Sequence, residues 1–120
     1  MERVYYTERN GVRILVLDLT DSKDIQENIA GFAQAEALIT AQPPKSVRLL
    51  TNVTNAHYST EAVDRMKQFS KAVTPHMLAS TAVGVSGLKR IVLQSLVRLT
   101  GRDIRMFDTA EQALDWLAQQ

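Results

Sequence analysis

Val12-Arg13-Ile14-Leu15-Val16-Leu17-Asp18-Leu19 is apolar on both of its alternating sides, with Val12, Ile14 and Val16 on one and Leu15, Leu17 and Leu19 on the other. A strand solvated on one face keeps polar residues there, so this run predicts a central strand in a sheet covered on both faces. Immediately upstream, Asn10-Gly11 supplies the positive φ angles of a tight hairpin turn, and Val4-Tyr5-Tyr6 before it is a short run of strand formers. The chain therefore opens with an antiparallel hairpin. Downstream, Asp21, Ser22 and Asp24 offer helix N-caps, and Ile25, Ile29, Phe32, Ala35 and Ile39 recur at helical spacing until Pro43-Pro44 stops the helix.

The remainder repeats one pattern. Ser46 to Val53 reads as a strand, Thr54-Asn55-Ala56-His57 as a polar loop, and Ser59 or Thr60 as the cap of a second helix. That helix carries Val63, Met66, Phe69 and Val73 in one stripe and ends near Thr74-Pro75. Ser80 to Val85 is a small-residue strand with Gly84-Val85-Ser86-Gly87 as its exit turn, and Leu88 to Leu99 is a third helix stopped by Gly101. Asp103 to Phe107 is the last strand; Thr109-Ala110-Glu111-Gln112 matches a capping box, opening a helix with Ala110, Ala113, Leu114 and Leu117 toward the core. Repeated strand and helix units imply parallel pairing through right-handed crossovers, and the hairpin adds one antiparallel edge strand. The expected architecture is a single α/β domain over residues 1–120, a five-stranded mixed sheet, mostly parallel, with helices on its faces.

Composition narrows the function. At 120 residues, 45% hydrophobic and 22% charged, the chain has room for one core and the balance of a globular domain. Fourteen Lys plus Arg against thirteen Asp plus Glu leave a net charge of +1, so no nucleic-acid partner is expected. Without cysteine there is no disulfide, thiol nucleophile or thiolate metal site, and two histidines cannot close a zinc site; neither metal nor cofactor is expected. Residues 1–10 carry four charges and no apolar stretch, so a secretory signal is not expected, and no run approaches the roughly 20 apolar residues of a membrane span. A cytoplasmic location follows as the expectation.

Two strings carry a family likeness. Ala82-Val83-Gly84-Val85-Ser86-Gly87-Leu88-Lys89-Arg90 resembles the strand–turn–helix signature of the SpoIIAA-like branch of the STAS proteins, also described as STAS/Sec14-like domains. Thr100-Gly101-Arg102, leading into Phe107-Asp108-Thr109 and Ala113-Leu114-Asp115-Trp116-Leu117, is similar to that branch's closing strand and helix. The resemblance spans nearly the whole chain in its order of elements and implies the STAS arrangement without enzymatic activity. Better understood STAS relatives antagonise anti-sigma factors and are switched by phosphorylation of a serine in an Asp-Ser-Ser-Gly turn. Here Asn55-Ala56-His57-Tyr58-Ser59-Thr60-Glu61 stands instead, so Ser59 and Thr60 match by position only, and Glu61 and Asp64 would repel a phosphate.

The exit turn Gly84-Val85-Ser86-Gly87 supports two readings. Its glycines and the following helix start, with Lys89 and Arg90 on the first turn, describe an anion cradle. Alternatively, Gly84 and Gly87 serve a tight turn and close packing, with Ser86 an ordinary N-cap. If the fourth strand lies beside the second on the side opposite the third, this exit faces Asp18 and Thr20 across a crevice of the kind where open α/β sheets bind ligands. The candidate ligand surface is then Asp18, Thr20, Asn52, Asn55, Gly84, Ser86, Gly87 and Lys89, taking a small anionic or amphiphilic molecule or a partner protein. A shift of the second helix would open an apolar pocket between Phe69, Met66 and the sheet. Asp18 also has a structural reading, accepting backbone bonds from the next turn.

No catalytic set stands out. Gly84-Val85-Ser86-Gly87-Leu88 lacks the final glycine of a nucleophile elbow, and His57, Tyr58 and Ser59 are adjacent with no acid to orient the imidazole. His76 lies in a connection, while Asp103, Asp108 and Asp115 fall on separate elements. The third helix is unusual: Leu88, Ile91, Val92, Leu93, Leu96, Val97 and Leu99 cover roughly 240° of its circumference at about 100° per residue. The last helix with Trp116, a homodimer contact or a membrane surface near Lys89, Arg90 and Arg98 would each cover the excess.

Overall fold

A computed structural model describes residues 2–56, 59–101 and 103–120, and the side chains of these except at 88, 96, 99 and 100. The elements run β1 (Val4–Arg9), β2 (Val12–Asp18), α1 (Ile25–Thr40), β3 (Val47–Asn52), α2 (Thr60–Val73), β4 (Met77–Val83), α3 (Leu88–Thr100), β5 (Ile104–Phe107) and α4 (Ala110–Ala118), with a 3₁₀ turn at Thr74–His76. Asn10 and Gly11 take φ angles of 55° and 78°, the geometry that lets a two-residue turn follow the twist of its strands. β1 and β2 accordingly pair antiparallel from Val4 opposite Leu17 to Arg9 opposite Val12. The other three pairings are parallel, so the fold is an α/β domain with a five-stranded mixed sheet.

The strand order is β1-β2-β3-β4-β5. This corrects one expectation: β4 lies beside β3, on the side away from β2, so its exit does not face Asp18 and Thr20 across a crevice. The physical reason is that each crossover steps one strand onward in the same direction. Repeated right-handed crossovers of this kind put their helices on one face and create no reversal of strand order. Leu15, Leu17 and Leu49 pack with Phe32, Ala35 and Ile39 of α1 and Phe69 and Val73 of α2. Ala82 of β4 packs with Leu93 of α3, on the same face as Leu49 because Leu49 pairs with Ser80.

α4 covers the opposite face, where Ala113 and Leu117 meet Ile14, Val16, Leu50, Ala79 and Val83. Its capping box forms as the sequence predicts, with the Gln112 N–H on Thr109 Oγ1 at 3.2 Å and the Thr109 N–H on Gln112 Oε1 at 3.3 Å. Arg9 at the end of β1 ties down the outer side of this helix through Glu111 at 2.7 Å and Asp115. Because α4 lies across the sheet from α3, Trp116 does not cover the third helix; it packs instead on Phe107, ring centroids 6.0 Å apart. Ile91 of α3 stays 59% exposed, Val92 and Val97 are half-buried and Leu93 is buried, while the side chains of Leu88, Leu96 and Leu99 lie outside the described residues.

Local boundaries differ from the sequence reading in one informative place. β4 begins at Met77 rather than Ser80, since the 3₁₀ turn seats Met77 beside Val47 and the ladder runs from there. On the face covered by α1, α2 and α3, Met77 at its start packs into the core, and beyond it β4 presents only Ser80 and Ala82, level with Leu49 and Thr51 of β3. Small side chains make the sheet surface shallow at this point, and a shallow surface under two helices leaves space.

Candidate functional site

That space is a cavity of about 100 Å³ between α1, α2, α3 and the sheet. Its wall is apolar almost throughout, built from Phe32, Val53, Ala62, Met66, Phe69, Ala82, Val85 and Leu93 among others. Phe32 and Phe69 both line it, their ring centroids 5.3 Å apart. The cavity thus lies against Phe69 and Met66, where the sequence reading has a shift of α2 open a pocket, and in this structure the space is already there. Lys89 is the one charged side chain among its described lining residues. Its Nζ donates to the Val53 carbonyl at 2.8 Å, bridging α3 to the end of β3. Burial, and secondarily the like charge of Lys23, lower the Lys89 pKa from its ordinary value.

A second, wider space opens on the other side of Val85, which lines both. It is a solvent-open groove of about 600 Å³ along the ends of β4 and β5, walled by Thr54, Asn55, Gly84, Ser86, Arg90, Arg105 and Asp108 with Val85, Met106 and Phe107. Arg90 comes from the first turn of α3, on one face of the sheet. Arg105 comes from β5 opposite Thr81, on the other face, its guanidinium carbon 5.1 Å from the Trp116 ring centroid. The groove therefore straddles the rim of the sheet.

The sequence-derived surface divides accordingly. Asn55, Gly84 and Ser86 line the groove, and Lys89 lines the cavity instead. Gly87, not Ser86, is the N-cap of α3, with φ 55° and no side-chain cap bond; this corrects the reading of Ser86 as an ordinary N-cap. The Ser86 carbonyl accepts from Lys89 N at 3.1 Å, which places Ser86 just before the helix with its side chain exposed. Gly84 has φ 79° and lies so close to Thr54 that an added Cβ would sit 2.6 Å from its Cα. That is the packing role weighed for it in the sequence.

Asp18, Thr20 and Asn52 are not brought to the groove. Asp18 Oδ1 accepts from the Thr20 N–H at 3.0 Å, its structural reading, and its charge helps raise the Tyr5 pKa on the β1 side, after burial, which contributes more. Arg3 caps the same end by donating to the carbonyls of Asp18 at 3.2 Å and Thr20 at 2.7 Å while pairing with Glu27. Asn52 Oδ1 is used within its own turn, accepting from Thr54 N at 3.0 Å and Thr54 Oγ1 at 2.6 Å. Asn55 Nδ2 donates to Asp21 Oδ1 at 2.8 Å, tying the first two exit loops together.

Ser59 is the N-cap of α2, its Oγ accepting from Ala62 N at 3.1 Å, while His57 and Tyr58 lie outside the described residues. His76 Nδ1 is 2.8 Å from the Gln42 carbonyl, in a connection as expected. Among the described residues no three His, Asp or Glu side chains cluster to hold a metal. No described helix is long and apolar enough to cross a membrane. Sequence reasoning left Arg105, Asp108 and Thr54 out of the site. Alternation already put Arg105 opposite Ile104 and Met106, but only the strand order brings it beside Gly84.

No protein-family model matches the chain. No curated protein matches it either.

Proposed function

We propose that this chain is a cytoplasmic, non-enzymatic SpoIIAA-like binding module whose ligand is a small amphiphile, an apolar chain ending in an anionic group. The family reading draws support from the antiparallel β1, the four mutually parallel strands that follow it and the isolated C-terminal helix on the far face. The observation that carries the ligand reading is an apolar cavity with one amine in its wall. An apolar cavity of about 150 Å³ accepts benzene, so by proportion about 100 Å³ accepts roughly four carbon atoms. A carboxylate at the chain's end would replace the Val53 carbonyl as the partner of Lys89, exchanging a neutral acceptor for a charged one.

Butanoate is the fitting probe, followed by calorimetry or by amide shifts. Lys89→Met is expected to weaken butanoate binding about tenfold, the scale of one charge-assisted hydrogen bond. Butanol should bind parent and variant alike. The pH dependence has a defined sign. In the free protein the lowered pKa means that the strain of holding Lys89 charged is present below that pKa and is relieved as pH rises above it. A bound carboxylate needs the ammonium, so affinity should fall as pH rises through the same range. Loss of butanol binding together with butanoate binding in Lys89→Met, or no binding of either to the parent, would remove the reading.

The second reading is a homodimer or membrane contact through α3, favoured by Ile91 at 59% exposure between exposed Arg90 and Arg98. It predicts either a concentration-dependent mass in sedimentation or co-pelleting with anionic vesicles at low salt, each reduced by Ile91→Lys. A monomer that ignores vesicles excludes both forms.

A further inference from the structure

We infer that the groove on the outer side of Val85 is a phosphate site, for a terminal phosphate group either free or on an alkyl monoester, held by Arg90 and Arg105. This goes beyond the cavity reading and does not depend on it, because the two arginines take no part in the cavity wall.

Electrostatics supply the first step. Neither Arg90 nor Arg105 has an ion-pair partner among the described residues, although Arg3, Arg9 and Arg65 all do. Both line the same groove, one reaching it from each face of the sheet, and both side chains are exposed. Two like charges on residues bordering one concave space raise its potential and favour an anion there. Asp108, which also lines the groove, opposes this in part, so the site suits a doubly charged ligand better than a singly charged one.

Geometry supplies the second step. Arg105 rests on Trp116, which restricts its guanidinium to a plane and reduces the freedom lost on binding. The Ser86 hydroxyl makes no hydrogen bond among the described residues and stands on the α3 side of the groove. Donors therefore come from three directions: α3, β5 and the exit turn. A planar carboxylate offers two oxygens in one plane, whereas a phosphate monoester offers three arranged around a tetrahedral centre, which matches donors placed on several sides. The other polar groups nearby are already used: Thr54 Oγ1 donates to Asn52, and Asn55 Nδ2 to Asp21.

The phosphate has two possible carriers. A short alkyl phosphate would run past Val85 into the cavity, and a free phosphate would occupy the groove alone. Titration of the intact protein with inorganic phosphate and with butyl phosphate at constant ionic strength, read from backbone amide shifts, separates them. Both probes are expected to shift Ser86 and Arg105 saturably in the millimolar range. Arg90→Gln and Arg105→Gln should each weaken binding about tenfold, and Asp108→Asn should strengthen it several-fold. These are exposed side chains, so the variants are expected to stay folded, which the amide spectrum itself reports.

Tighter binding of butyl phosphate with added shifts at Met66 and Phe69 supports the alkyl carrier; equal binding of the two probes supports free phosphate. Absence of saturable shifts with either probe, or binding indifferent to both arginine substitutions, overturns the site. Phosphate binding that survives while butanoate fails would remove the cavity reading alone.

Discussion

Gly84→Ala is expected to lower the stability of the fold by about 4 kcal/mol, a large share of the roughly 5–15 kcal/mol that holds a domain together. Two costs add. At φ 79° a side chain sits in the left-handed region, which costs about 1–2 kcal/mol. The larger cost is steric, because the new Cβ would lie 2.1 Å from Thr54 Oγ1, 2.6 Å from Thr54 Cα and 2.7 Å from Thr54 N. Two of these atoms are backbone, so rotating the threonine side chain relieves one contact only. The β3 exit loop must move as a whole, and it is held by Asp21 N on the Thr54 carbonyl at 3.0 Å and by Asn55 on Asp21.

Gly101→Ala is the matched control. Its φ of 69° imposes the same left-handed penalty, yet among the described residues nothing lies within 4 Å of the added Cβ, so about 1 kcal/mol is expected. Urea unfolding of the two variants measures the difference directly. Thr54→Gly combined with Gly84→Ala should recover only part of the loss, since the Cα and N contacts remain. Equal losses for Gly84→Ala and Gly101→Ala would mean that the β3 and β4 exit loops do not touch as described.

The same glycine marks the boundary between what the sequence discloses and what it withholds. Features determined by near neighbours in the chain are legible: the two-sided apolar run at Val12 to Leu19, the Asn10-Gly11 turn and the Thr109–Gln112 capping box. Each depends on periodicity or on hydrogen bonds spanning a few residues. Strand order does not. A parallel strand buried on both faces carries no mark of which strand lies beside it, so the sequence leaves open whether β4 lies beside β2 or beside β3, and with it the partners of Gly84.

Once β4 is placed beyond β3, Asp18 and Thr20 fall two strands from Gly84, and Arg105 moves in beside it. Lys89 illustrates a second limit. Its position on the first turn of α3 is readable, but whether its amine turns out toward an anion or inward to the Val53 carbonyl depends on the depth of the sheet beneath. That depth is set by Ala82 and Thr51 from two other elements. The small residues of β4 were visible as a string; their consequence, a cavity, appears only when α2 and α3 span them.

Filling that cavity should separate ligand binding from stability. Ala62 lines it from the first turn of α2, and its side chain is buried. Ala62→Leu adds three carbons to a space that accommodates roughly four, so the side chain would occupy the place of a bound chain. Each buried methylene contributes about 0.8 kcal/mol on transfer, and cavity-filling substitutions in practice gain about 0.5–2 kcal/mol once rotamer and packing costs are met. The expected result is therefore a protein about 1 kcal/mol more stable in urea, with butanoate and butanol binding both weakened at least about fifteenfold, the equivalent of two methylenes that no longer find room. Inorganic phosphate, which needs only the groove, should bind the variant as it binds the parent. A destabilised variant would indicate overpacking against Phe69 and Met66, hence a cavity smaller than described. A stabilised variant that still took up butanoate at full affinity would place the ligand elsewhere, since the same volume cannot hold both chains.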